Sequence, residues 1–157
     1  MIDEITMTLS EKLISEGERA LAFFAALTPE QWNAPVYTEG ETWTVRSVLA
    51  HFVTAERGFL KIFADILAGG PGASDDFDIN RYNASQQAKT AALTPAELME
   101  NFRQTRAEMA AFAAGLSESD LQKIGRHPAL GITSLGEMLK LVYLHNSMHF
   151  RDLKKAL

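Results

Sequence analysis

The chain contains no cysteine. Disulfides, thiolate metal sites and a cysteine nucleophile are therefore excluded, and any thiol chemistry must use a thiol brought from outside. Long apolar runs are also missing. The longest, ALAFFAAL, spans eight residues, far short of the ~20 needed to cross a bilayer. No stretch is rich in lysine and arginine. Fifteen basic residues are scattered among twenty acidic ones, for a formal net charge of −5, so the phosphate-neutralising patch that a nucleic-acid partner requires is not expected. The N-terminal MIDEITMTLSEK lacks the basic start of a secretory leader. Together these absences lead to the expectation of a cytoplasmic protein with neither a nucleic-acid nor a membrane partner.

Alternation of apolar and polar residues over useful lengths is absent as well, and the helical period takes its place. In LSEKLISEGERALAFFAAL, residues Leu9, Leu13, Gly17, Ala20, Phe24 and Leu27 recur every three or four positions. TPEQW follows, with Thr28 able to cap, Pro29 suited to the first helical position and Gln31 able to close a capping box. A connection, NAPVYTEGET, comes next. A second long helix is expected from near Thr44 to about Leu67. Gly and Pro in AGGPGASDDFD break it, and INRYNASQQAKTAAL reads as a shorter, polar helix. Thr94, Pro95 and Glu97 start a third long helix that carries Leu98, Phe102, Met109, Phe112 and Leu116. GLSESDLQKIGRHPALGI is a mixed connection in which a short extended segment could lie. Ser134 and Glu137 can form a further capping box, and the last helix runs from about Leu135 to Ala156. Four amphipathic helices of this length pack most economically as an all-α four-helix bundle with longer, irregular connections, one domain over residues 1–157.

The four histidines are unevenly placed. Counting 100° per residue along the last helix puts His149 about 40° from His145, with Met138 and Val142 within about 60° of it. Lys140, Ser147, Arg151 and Lys154 fall in the opposite wedge. His145 and His149 thus face the interior, one turn apart. Each could bond to a neighbouring Asn, Ser or carbonyl. Equally, the i,i+4 spacing lets two imidazoles reach one ion. Asn146 follows His145, so the HExxH pattern of zinc proteases is absent. His51, at the edge of the second helix's apolar arc, is the candidate third ligand. Three neutral imidazoles leave a divalent ion its full charge and an open position for water or substrate.

Other residues read less sharply. Glu56 lies near the centre of the second helix's apolar stripe. It could orient a ligand histidine or accept a proton, or it could be held by an arginine or by a hydrogen bond near Trp43. Asp152, three residues after His149, is a candidate to support that ligand from behind. Asn80, Arg81 and Asn83 in NRYN could contact a substrate at the bundle mouth, or simply start a solvated helix. His127, in GRHPAL, reads as an exposed loop residue. Asp75, Asp76 and Asp78 lack the glycine and terminal Glu of a calcium loop, and GGPG has no GK[ST] after it.

WTVRSVLAHFVTAE places Trp43 eight residues before His51, and HNSMH lies on the last helix. With LTPEQW and GITSLGEML, these segments resemble the DinB-like superfamily of four-helix-bundle metalloproteins, over nearly the whole chain. The resemblance implies a metal held by His51, His145 and His149, with zinc or nickel the leading candidates. It also implies kinship with S-transferases that use low-molecular-weight thiols and with the N-terminal domain of mycothiol-dependent maleylpyruvate isomerase. Ser47, where many relatives carry an acid, and the absence of a following second domain argue against that isomerase activity in particular. A homodimer through bundle helices is also implied, and Leu144, apolar within a polar wedge, is compatible with it. Two functions follow as expectations. One is a metal-dependent enzyme, a thiol S-transferase or hydrolase, turning a thiol or water on a small electrophile. The other is a stress-response module that binds a metal or small ligand without turnover.

Overall fold

A computed structural model describes residues 7–157; the beginning of the N-terminal stretch read above as lacking a leader lies outside the described residues. Four long helices carry the fold: α1 (Leu9–Ala25), α3 (Val45–Leu67), α5 (Pro95–Ala114) and α7 (Leu135–Ala156). Between them lie the short α2 (Pro29–Trp32), α4 (Ile79–Lys89) and α6 (Glu118–Leu121). None of the described helices is long and apolar enough to cross a membrane.

The helix starts follow from side-chain caps. Thr28 with Gln31, and Thr94 with Glu97, form reciprocal capping boxes, and Pro29 and Pro95 take the first helical positions. Thr44 and Ser47 form the same box at the head of α3. Ser47, the departure noted in the sequence, is thus committed to holding that helix end. The box expected at Ser134 is only half made: Ser134 accepts from the Glu137 amide, while Glu137 turns its carboxylate to Lys140 at 3.1 Å. Asp78 caps α4 by accepting the Arg81 amide, so the acidic loop is used as a helix start.

Two hairpins sit in the connections. β1 (Pro35–Tyr37) pairs antiparallel with β2 (Trp43–Thr44), with Tyr37 opposite Trp43 and an irregular register. This pair falls in NAPVYTEGET, where no strand was expected; runs of two and three residues are too short to display a period. β3 (Ile124–His127) pairs with β4 (Gly131–Ser134) within the mixed connection. β3 lies hard against α3. A Cβ at Gly125 would stand 2.4 Å from Ile66 Cγ1, so only glycine fits there.

The core has two apolar clusters. One gathers Phe24, Trp32, Phe52 and Phe102 with Val45 and Leu153; the other gathers Leu13, Phe63, Met109, Leu135 and Met138. Between them runs a buried hydrogen-bonded set with a member from each long helix: Glu16, Glu56, Arg106 and Asn146. Arg106 Nε and Nη2 donate to the two oxygens of Glu56 at 3.0 and 2.6 Å. Its Nη1 donates to Glu16 Oε1 at 2.7 Å and to the Leu13 carbonyl at 2.9 Å. Asn146 Nδ2 donates to Glu56 Oε2 at 3.4 Å. Gly17 makes room, since a Cβ there would meet Arg106 Cγ at 2.8 Å.

Burial raises the Glu16 carboxyl above its ordinary range even against the pull of Arg106. The cation is therefore what makes two buried carboxylates tolerable. Replacing it strands them, and breaking a buried pair from one side costs about 3–5 kcal/mol. Arg106→Met is expected to lose stability on that scale in urea unfolding at neutral pH. A loss below about 1 kcal/mol would mean that this layer is hydrated rather than sealed.

Candidate metal centre and its cavity

His51 lies in the second turn of α3, just past the capped end, and its ring packs 5.2 Å from that of Trp43 on β2. His145 and His149 project from successive turns of α7. The i,i+4 spacing brings their Nε2 atoms to 3.2 Å, and His51 Nε2 lies 3.1 Å from His145 Nε2. One ring nitrogen from each of the three lies within 4.8 Å of the others. Nitrogens bound at ~2.0–2.1 Å in a tetrahedral shell stand roughly 3.3 Å apart. The donor set is therefore chemically and spatially able to hold one divalent ion.

The electrostatics keep these imidazoles neutral. Burial, with added repulsion from His145 and His149, pushes His51 down to about 3. Burial and His149 push His145 down to about 4. His149 is also lowered by burial, although Asp152 pulls the other way. Each ring is thus neutral at neutral pH and has one nitrogen lone pair free to bind an ion.

The three rings form part of the wall of a cavity of about 860 Å³, within the size range of small-molecule sites. Its other walls are mainly apolar, from Trp43, Phe59, Ile62, Phe77, Leu141 and Met148. Asn80 and Asn83 line it from α4, but Arg81 is not among the lining residues. Tyr82, between Arg81 and Asn83, also lines it; its hydroxyl donates to the Thr54 carbonyl at 3.0 Å.

Glu56 takes the ion-pair alternative. Both oxygens are engaged by Arg106 and Asn146, so the structure gives it no contact with a histidine. Asp152 lies behind His149 but not against it. Tyr37 stands between, its Oη 2.6 Å from Asp152 Oδ2 and 2.8 Å from His149 Nδ1. Tyr37 gave no signal in the sequence, being one aromatic in a short connection.

His127 departs from expectation. It is 1% accessible rather than exposed, ends β3, and forms part of the cavity wall. The cause is the close seat of β3 on α3, which sets its ring 4.9 Å from that of Phe59.

Comparison with known proteins places this geometry. No curated protein matches the chain. Among solved structures, YfiT from Bacillus subtilis, described as a probable metal-dependent hydrolase with an unusual four-helix bundle topology, superposes with a TM-score of 0.75 at 20% identity, covering 99% of this chain and 88% of that one. ClbS, a colibactin self-resistance protein solved in complex with double-stranded DNA, gives 0.67 at 16% identity, covering 94% and 96%. Mycothiol-dependent maleylpyruvate isomerase gives 0.70 at 16% identity, covering 98% of this chain but 63% of its own. At these identities the likeness is one of fold. The model of the DinB superfamily matches residues 13–153, and the chain belongs to that superfamily.

Proposed function

We propose that the chain is a metal-dependent enzyme in which Nε2 of His51, His145 and His149 hold one divalent ion, zinc or nickel, beside an apolar cavity. The reaction turns water or a small thiol on a small, largely apolar electrophile. The observation that carries this reading is the convergence of three neutral imidazoles at ligand spacing in a cavity wall. When bound, such an ion supplies Lewis acidity, acidifying a water or thiol and polarising a substrate oxygen. An external thiol as co-substrate is compatible with the absence of cysteine, which does not itself point to one. The net charge of −5 favours a small-molecule substrate over nucleic acid and fits a cytoplasmic setting. Leu144, 51% exposed on α7, is available to a homodimer contact.

The chain's own part is to present three lone pairs, and Tyr37 is central to that. Its hydroxyl has one proton and two neighbours, a carboxylate and an imidazole nitrogen. Burial and the Asp152 carboxylate raise the phenol well above its ordinary range, so it keeps the proton. The carboxylate is the stronger acceptor. Tyr37 therefore donates to Asp152, and its oxygen accepts from His149 Nδ1–H. That sequence fixes the His149 tautomer and leaves Nε2 as the ligand atom. Asp152 acts on the histidine through the tyrosine.

Protein purified without a histidine tag is expected to hold one equivalent of zinc or nickel by elemental analysis, and His149→Ala to lose it. Metal-free wild type that also shows no thermal shift on adding either ion would end the proposal. Stoichiometric metal without turnover on any electrophile, with water or thiol, would leave the binding module in its place. Burial has moved His51 and His145 down to about 3 and 4 and has lowered His149 as well, so protons compete with the ion at lower pH than they would at exposed histidines. Affinity measured by chelator competition is therefore expected to fall less steeply from pH 8 to 6 than for an exposed set. An exposed set titrating near 6.5 would lose affinity through that interval.

Tyr37→Phe removes the acceptor for His149 Nδ1–H and leaves the ligands in place. A roughly 10-fold or greater fall in metal affinity is expected, the scale seen when a ligand's outer partner is lost. Unchanged affinity at preserved thermal stability would show that the tautomer is set by something other than this hydroxyl.

A further inference from the structure

His127 has a use beyond packing. Its Nδ1 receives two backbone amides, from Ala129 at 3.0 Å and from Leu130 at 3.2 Å. The residue between, Pro128, has no amide of its own and turns the chain so that the next two point back at the ring. A nitrogen addressed by two N–H groups carries the lone pair, so the ring proton resides on Nε2. Burial lowers this histidine to about 4, which keeps the ring in that neutral form. Yet Nε2 is itself buried and has no hydrogen-bond partner among the described residues. Buried donors are rarely left so, and each one calls for an acceptor.

None of the described residues supplies one. Phe59 lies at an interplanar angle of 37° to the imidazole, closer to parallel than perpendicular, so it covers the ring's face and does not take its in-plane N–H. The same phenyl ring stands 6.4 Å, centroid to centroid, from His145. His127 and the histidine cluster therefore flank one side chain and line one cavity.

We propose that Nε2–H of His127 is the hydrogen-bond donor for the molecule that fills this cavity, and that the cavity selects a compound with an apolar body and a neutral carbonyl oxygen. The proposal rests on the cavity being the substrate site, as read above. A neutral carbonyl fits better than a carboxylate. An anion would be drawn to the cavity's cations, the proposed metal and Lys61, which leaves this uncharged donor to a neutral oxygen. A ketone, ester or amide oxygen asks only for a neutral donor, which the unpartnered Nε2–H is. The residue is thus specificity-determining: it distinguishes a carbonyl compound from a hydrocarbon of the same shape.

The test uses the zinc-loaded full chain with ¹⁵N-labelled histidine and two probes of similar shape, acetophenone and ethylbenzene. Proton–nitrogen correlations are expected to place the His127 proton on Nε2. Acetophenone is expected to shift that resonance, and ethylbenzene to leave it in place. His127→Asn keeps an acceptor for the Ala129 and Leu130 amides, as in an Asx turn, but removes the donor. It is expected to weaken acetophenone about tenfold, the weight of one neutral hydrogen bond, with ethylbenzene binding and the thermal midpoint unchanged. A proton found on Nδ1 would overturn the proposal. So would a resonance that acetophenone leaves unmoved, as an enclosed water partner would give, or failure of acetophenone to bind wild type. Equal weakening of both probes in the variant would also overturn it. Zinc content is measured in the same samples. Failure of the metal centre then appears as missing zinc, and the His127 resonance is still read in the metal-free protein.

Discussion

The Arg106 guanidinium holds the four long helices at one height. It meets Glu56 on α3 with two parallel hydrogen bonds, Glu16 and the Leu13 carbonyl on α1 with a third and fourth, and Asn146 on α7 through Glu56. Apolar clusters above and below could slide by a methyl group at little cost. A buried fork meeting two carboxylates cannot, because any shift leaves a charge unpaired. The layer therefore acts as a register pin, and the pin reaches the candidate site directly. Asn146 is the residue after His145, and Glu56 is five after His51. Holding the first pair of side chains in line holds the second, which points about 100° away around α7 and about 140° away around α3.

The layer also separates two kinds of polarity. The Arg106 cluster is charged, closed and saturated except for Asn146 Oδ1. The histidine cluster is neutral, and its nitrogens face one another with no carboxylate among them. Burial has opposite consequences in the two. In the first, it makes the ion pair obligatory. In the second, it keeps the imidazoles neutral, so that each has one nitrogen able to bind a cation. Both sets are buried polar groups on the same helices, and what distinguishes them is whether the chain supplies the counter-charge.

The helices and the shared face of His145 and His149 were legible in the sequence because both obey a local period, whereas His51, on another helix, entered from the edge of its own apolar arc and from the family resemblance. His145 and His149 share a face by spacing alone, and Thr28, Thr94 and Thr44 announce helix starts within four residues. What the period could not convey was pairing across the fold. Glu56 looked equally suited to a histidine or an arginine, since nothing local says that Arg106 on another helix has aligned with it. Arg81 looked as available as Asn80 and Asn83 within one short motif, yet only the asparagines line the cavity. His127 read as exposed because its burial comes from Gly125 pressing on Ile66, a contact between β3 and α3. Tyr37 lay in a connection whose strands are too short to alternate.

Those last two residues share a property. Each comes from a hairpin, and each governs a proton on a histidine. Tyr37, on β1, is the acceptor proposed for His149 Nδ1–H. The turn after β3 supplies two amides to Nδ1 of His127 and so forces its proton outward to Nε2. A helix can set where an imidazole stands, but its own backbone amides are spent inside the helix and cannot reach a ring on its surface. A hairpin turn has free amides and side chains that reach sideways. The bundle therefore sets where His51, His145 and His149 stand, while the hairpins hydrogen-bond to Nδ1 of His149 and of His127. Changes in hairpin sequence could thus alter the chemistry of the cavity with the four helices left as they are.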